Sequence, residues 1–326
     1  MSVTIIAQPG AIVNVSVAEC PENGTAPGME NRINKWTEYK VESQRVARKM
    51  WYINQGRAER MSNCADILQY NYCSDCGTFE IKKANLCRDR FCPTCNWRLS
   101  LQRYSQMQMI MEKFVDRYPD TKFSFVTLTV KNCTGSNLSS TMAAMSKSWN
   151  DMLHMKEYRD RSVIGYARSV EVTFNKQTKE FHPHYHVIVA WGAEDRSAVL
   201  TDNWIRYAQQ AGLEANAKAQ CSSTINYGDE GAGMASAICE TFKYAVKSKQ
   251  LDEMPLAEFR QLVAEIGGKR LVSFGGIFKK IAKEIGAEME TVKEEDIKVC
   301  RNCGSVSLDK IVYKWSFGTQ QYTKII

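Results

Sequence analysis

Six of the chain's twelve cysteines (Cys64, Cys73, Cys76, Cys87, Cys92 and Cys95) fall between residues 64 and 95, interrupted by short polar stretches. Two pairs there stand at C-x-x-C spacing, and Cys300 and Cys303 repeat it near the C-terminus. A stretch with so few apolar residues cannot close a core of its own. Thiolates at this spacing suit tetrahedral Zn²⁺, so the segment is expected to be a module organised by metal. Cys73-x-x-Cys76-Gly and Cys300-x-x-Cys303-Gly are near-identical knuckles. Either they share a zinc and pin the C-terminal tail to the N-terminal module, or Cys73, Cys76, Cys92 and Cys95 form one ribbon and leave the tail pair free. Reduced, metal-holding thiols predict a cytoplasmic protein. Residues 1–18 lack the pattern of a secretory signal, and no apolar run approaches a membrane span.

A content of 44% hydrophobic and 24% charged residues excludes disorder across the whole chain. The net charge of +7 permits a polyanionic partner without requiring one. Residues 97–118 repeat apolar positions at helical spacing and stop before Pro119, KFSFVTLTV (122–130) reads as a strand, and residues 138–158 are again helical. VIGYARSVEVTF, the six-residue link NKQTKE and FHPHYHVIVAW predict a β-hairpin. Further helices are expected over 195–210, 233–249 and 255–266. Residues 1–45 read as a mobile extension, with a basic helix starting near Lys40.

Three of the four histidines, His182, His184 and His186, alternate along the second hairpin strand and therefore share one face. Imidazoles one strand repeat apart can close on a single cation. If Phe174 pairs with Phe181, Glu171 lies opposite His184 on that face and supplies a carboxylate. Two histidines and a carboxylate with open positions suit Mg²⁺ or Mn²⁺ acting on phosphate, and Zn²⁺ also binds such a set. In GMASAICETFKYAVKSKQ, helical spacing places Glu240 and Tyr244 on one face, with Lys243 and Lys247 at its border. A phenol becomes a useful nucleophile when lysines and a metal favour its anion, and a glutamate one turn away can take a proton from water. Arg88, Arg90 and Arg98 around the cysteines suit phosphate contacts.

HPHYHVIVA resembles the His-hydrophobic-His motif of HUH single-strand endonucleases, and ETFKYAVKSKQ resembles their tyrosine helix. CRDRFCPTCNWRLSLQ, FSFVTLTVKNCTGSNLSSTM, ARSVEVTFNKQTKEFHPHYHVIVAW and LVSFGGIFKKI are together similar to the rolling-circle plasmid replication initiators (Rep) of Gram-positive bacteria with one catalytic tyrosine. The likeness runs from about Cys64 to Ile297, in family order. It implies an α+β fold: an HUH core, a central antiparallel sheet flanked by helices, with a cysteine-rich zinc module. His184 and His186 take the place of the paired metal ligands, Glu171 of the third, and His182 of a ligand or its supporting partner. Tyr244 matches the nucleophile and Glu240 the acid that assists termination. Cys64, Cys87, Cys92 and Cys95 resemble the family's cysteine set, sufficient for one Zn²⁺. The implied activity is strand-specific nicking of origin DNA, with a 5′-phosphotyrosyl intermediate and a free 3′-OH, followed by strand transfer.

On this reading residues 1–45 are an extension, 46–118 the zinc- and DNA-binding module with its connecting helix, 119–252 the nuclease core, and 253–326 a C-terminal segment with a helix, the knuckle and a terminal strand. The partners implied are plasmid origin DNA and a host helicase with its replication machinery, without a membrane; the protein is a monomer or dimer. An HUH transposase or relaxase with the same chemistry, or a histidine-triad-like nucleotidyl hydrolase, is the alternative.

Overall fold

The computed structural model describes residues 29–155, 158, 163–192, 194–227, 233–243, 246–291 and 299–326, the side chains of 29 and 287–291 excepted. Its first helix, α1 (Met29–Trp51), turns Trp36, Lys40, Ser43, Ala47 and Met50 inward at three- and four-residue spacing. Residues 29–45 are therefore helix. Lys40 and Ser43 sit on the buried stripe and break its apolar pattern, which made the stretch read as an extension. The rest of that extension, residues 1–28, lies outside the described residues.

Two units divide the chain, residues 1–102 with 286–326 and residues 103–285. In the first, α1 packs on α2 (Gln55–Ser62), which Asn54 caps by accepting from the Arg57 N–H. Its antiparallel sheet runs β2 (Phe79–Ala84), β1 (Ile67–Cys73), β8 (Leu308–Ser316), β9 (Gln321–Lys324). Pairing of β1 with β8, from Ile67↔Lys314 to Cys73↔Leu308, brings the C-terminal residues back to the N-terminal module. That return groups residues 286–326 with the N-terminal ones, and the units divide at 102 and 285, where the sequence reading sets its bounds at 118 and 252.

The second unit holds a five-stranded antiparallel sheet in the order β6 (Cys221–Ile225), β3 (Lys122–Thr129), β5 (Glu180–Trp191), β4 (Val163–Asn175), β7 (Val272–Gly275). Central β5 is buried along almost its whole length. Helices α4 (Leu138–Leu153) and α5 (Ser197–Gln210) cover one face, where Trp149 and Trp204 lie against Tyr185. On the other face α6 (Met234–Phe242) packs on β4 and β5. The hairpin has the expected register, Phe174↔Phe181 and Glu171↔His184. Asn175 also pairs with Glu180, so four residues, Lys176 to Lys179, link the strands in place of six. The helix expected over 233–249 is interrupted: α6 ends at Phe242, Lys243 is extended at ψ 177°, and α7 (Ser248–Glu253) follows. Helices α3 (Pro93–Arg117), α8 (Leu256–Ile266) and α9 (Gly276–Thr291) complete the described α-helices. At the start of α9, Gly276 has φ +56° and a Cβ there would stand 2.3 Å from the Ile164 carbonyl oxygen, so only glycine fits.

Candidate metal centres

Strand alternation turns His184 and His186 to the α6 face of β5, and pairing with β4 sets Glu171 between them. Glu171 Oε2 lies 3.3 Å from His184 Nε2 and 3.0 Å from His186 Nε2. All three residues are at most 9% exposed. The other ring nitrogens are held from behind. His184 Nδ1 meets the His182 carbonyl at 3.2 Å, and His186 Nδ1 meets Thr127 Oγ1 at 3.2 Å, Thr127 being its cross-strand partner on β3. The His182 carbonyl can only accept, so His184 Nδ1 is the ring nitrogen that donates to it, which leaves Nε2 turned to Glu171. Three ligand atoms within 4.8 Å of one another, oriented by outer hydrogen bonds, form a group that could hold a metal ion.

Two charged groups from the end of α6 border the set. Lys243 Nζ is 3.6 Å from Glu171 Oε2 and is bonded to Glu240, whose Oε1 is 3.7 Å from His186 Nε2. Burial by itself raises the Glu171 carboxyl, but the two imidazole edges and Lys243 outweigh it and hold the group well below the usual carboxylate range.

Of the residues singled out in the sequence, Glu171, His184, His186, Glu240 and Lys243 come together. His182 does not join the group of metal-competent atoms. Its Nδ1 bonds Asn132 Oδ1 at 2.8 Å and its Nε2 bonds Thr129 Oγ1 at 2.7 Å, so neither nitrogen faces Glu171. Lys247 is exposed and precedes α7. Tyr244 lies outside the described residues, and α6, which carries Glu240, ends at Phe242. Thr127, Thr129 and Asn132, which hold the imidazoles, were not singled out from sequence. The two threonines were legible as alternate positions of a strand with the parity of His184 and His186.

In the first unit the eight cysteines among the described residues assort as Cys64, Cys87, Cys92, Cys95 and as Cys73, Cys76, Cys300, Cys303, which excludes the single-ribbon alternative. Sulfur separations are 3.5 Å for Cys64–Cys95 and Cys87–Cys95, 3.6 Å for Cys73–Cys303 and 3.5 Å for Cys76–Cys300. A disulfide needs about 2.05 Å. A tetrahedron with Zn–S of ~2.3 Å has an edge of roughly 3.8 Å, close to these values. Backbone N–H groups support the first set: Cys87 N–H points to Cys64 Sγ at 3.4 Å and Arg88 N–H to Cys95 Sγ at 3.2 Å. In the second, each knuckle turns through a glycine with positive φ, Gly77 at +70° and Gly304 at +75°. The neighbouring sulfurs and burial push the Cys64 thiol far up, whereas hydrogen bonds from Thr78 draw exposed Cys76 down to about 6. Arg88 is exposed near the first set. Arg98 instead lies over the rings of Trp36 and Trp97, at 5.3 and 5.5 Å, and serves packing. Arg90 is half-buried.

By fold and site this is an α+β protein with a carboxylate–bis-histidine group on an antiparallel sheet and two four-cysteine groups, each able to hold a metal ion. The family model described as Replication protein (Rep_1) matches residues 78–323. The chain is 31% identical over 276 residues to "Protein rep" of Streptococcus pneumoniae serotype 2, spanning 81% of this chain and 83% of that protein. It is 27% identical over 308 residues to "Protein rep" of Lactiplantibacillus plantarum, spanning 89% and 95%. It belongs to the Rep_1 family of replication proteins, the rolling-circle family its motifs resemble. No solved structure matches the chain. Among the described residues no helix is long and apolar enough to cross a membrane.

Proposed function

We propose that this protein initiates rolling-circle replication of a plasmid by nicking one strand of its origin DNA, with the second unit as an HUH nuclease core. The observation that carries the reading is the convergence of Glu171, His184 and His186 with Glu240 and Lys243 at the end of α6, immediately before Tyr244 in the sequence. A divalent ion, Mg²⁺ or Mn²⁺, held there supplies charge that polarises and orients a phosphodiester. Glu171 holds its charge beside the imidazoles, and Lys243 adds a positive group facing an incoming phosphate. The Tyr244 phenol oxygen forms a bond to phosphorus as the bond to the 3′ oxygen breaks; the phenol gives up its proton and the 3′ oxygen takes one. The products are a 5′-phosphotyrosyl enzyme and a free 3′-OH, with the phosphodiester energy conserved. Glu240 then takes a proton from water, or otherwise assists release, when the circle is completed. Lys247 adds positive charge on the same segment.

Zn²⁺ in each four-cysteine group gives the first unit its structural metal, and Arg88 and Arg90 contact duplex flanking the nick. A cytoplasmic monomer or dimer working with a host helicase completes the picture.

The test is incubation of labelled single-stranded oligonucleotides covering candidate origins with Mg²⁺ or Mn²⁺, read on denaturing gels. A protein-linked product is expected. Tyr244→Phe removes it, and the double change His184→Ala/His186→Ala slows it by about 10³-fold or more, the several kcal/mol that such an ion contributes. Glu240→Gln leaves the linkage but slows release by roughly 10²–10⁴-fold. A covalent product that survives Tyr244→Phe sinks the assignment.

A further inference from the structure

His182 stands two residues from His184 on the same face of β5, with ring centroids 5.3 Å apart, yet turns to different partners. Beyond it opens a cleft of about 940 Å³, entirely within the second unit, formed where the ends of β3 and α5 meet the start of β5. We infer that this cleft takes one unpaired nucleobase of the DNA strand, that of the nucleotide next to the phosphate held at Glu171, His184 and His186; the inference rests on the nicking function proposed above.

Four features carry it. The first is position: two strand residues advance about 6.6 Å, a distance that a single nucleotide spans. The second is size, since a cleft near the upper end of the ~300–1,000 Å³ of small-ligand sites has room for a base together with its sugar. The third is chemistry. Val130, Leu213 and Ala215 give apolar walls, while Gln209 and Asn216, whose amides bond the Ala215 carbonyl and the Ala219 N–H, keep a further donor and acceptor of the kind base edges require; Asn132 is engaged by His182 and Glu180. Among its described lining residues only His182 carries an aromatic ring, the surface on which a base can stack. The fourth is rigidity. Thr129 and Asn132 fix the His182 ring, and Gln220 in turn clamps Thr129, accepting from its N–H at 2.8 Å and donating to its carbonyl at 3.2 Å. A wall so fixed costs little ordering when a ligand arrives.

Two experiments separate this inference from the nuclease reading beneath it. In the first, the four deoxynucleoside 5′-monophosphates are mixed with the zinc-loaded protein, without added Mg²⁺ or Mn²⁺, and followed by saturation-transfer NMR. Saturation of base protons above those of the sugar is expected for at least one of them. Ala219→Trp or Leu213→Trp, which fill the cleft, abolish it, and His182→Ala weakens binding about tenfold, the order of one stacked base. His182→Phe retains the ring and loses both hydrogen bonds, so binding is kept if the ring is a stacking surface and lost if His182 only braces the loop. In the second experiment, an abasic residue is moved along an oligonucleotide that the protein cleaves. KM rises at one position beside the scissile phosphate, and Ala219→Trp erases that dependence.

Nicking that is indifferent to abasic placement and to Ala219→Trp overturns the pocket and leaves the nuclease standing. Mononucleotide binding together with oligonucleotide binding that one abasic position weakens, but without strand cleavage, keeps the pocket and removes the nuclease. Binding of free nucleotides alongside cleavage that no abasic position affects marks a small-molecule site and overturns the inference as stated.

Discussion

Lys40 has no exposed surface, and its ammonium donates to the carbonyls of Ser62 at 2.6 Å and Cys64 at 2.7 Å and to the Asp66 carboxylate. One side chain thus fixes the turn that delivers Cys64 to its three partner sulfurs, a turn in which Ala65 has φ +60°. Lys40→Met keeps the volume but leaves a carboxylate and two carbonyls without their donor, and is expected to cost about 3 kcal/mol. Urea unfolding at fixed zinc concentration measures it. A midpoint unchanged from wild type contradicts the assignment, and adding Asp66→Leu to Lys40→Met should recover part of the loss. Nothing in the local sequence marks Lys40 as buried, because lysine on a helix is ordinarily a solvated charge. Glu171 differs: once the hairpin pairing is set, strand alternation alone places it opposite His184.

Helix ends decide more than helix interiors here. At the start of α5, Asp195 accepts from the Ser197 N–H at 2.9 Å and from Thr224 Oγ1 at 2.7 Å, joining the helix to edge strand β6. Burial raises its carboxyl, but these hydrogen bonds, Thr224's foremost, outweigh it and hold the group below its ordinary value of 3.8. A carboxyl depressed in the folded state adds stability above its unfolded value and loses it as the pH falls through the folded one. The difference in stability between wild type and Asp195→Asn is therefore expected to be full at neutral pH and to fade below about pH 4, as paired thermal melts would show. A difference constant down to strong acid counts against it. The early end of α6 has the opposite cause, since a continuous apolar and polar periodicity across residues 233–249 carried no stop signal, and Lys243 turns extended to reach Glu171 and Glu240.

At the scale of the molecule, the second cysteine group joins residues 224 positions apart, Cys76 to Cys300. Closing a loop of that length costs roughly 5 kcal/mol, so a metal held at this point would offset much of the entropy of bringing β8 back to β1. Two zinc ions per chain are expected at the cysteines, and Cys76→Ser should leave one. Because Cys76 and Cys303 are exposed while Cys64 and Cys92 are buried, a chelator should remove zinc in a fast and a slow phase, read with a colorimetric zinc dye. A single ion released in one phase sinks the two-centre arrangement.

The sequence by itself determined the local chemistry: the C-x-x-C knuckles, the alternating histidines, the β-hairpin and the likeness to Rep initiators all follow from residue type and short-range spacing. Tertiary structure alone decided which cysteines share a centre, that His182 serves Thr129 and Asn132, that Arg98 packs on tryptophans, and that the C-terminal strands complete the N-terminal sheet. These depend on contacts between residues tens to hundreds of positions apart. Periodicity and motif spacing report which face a side chain takes on its own element, and pairing across elements is set by packing that no local pattern encodes.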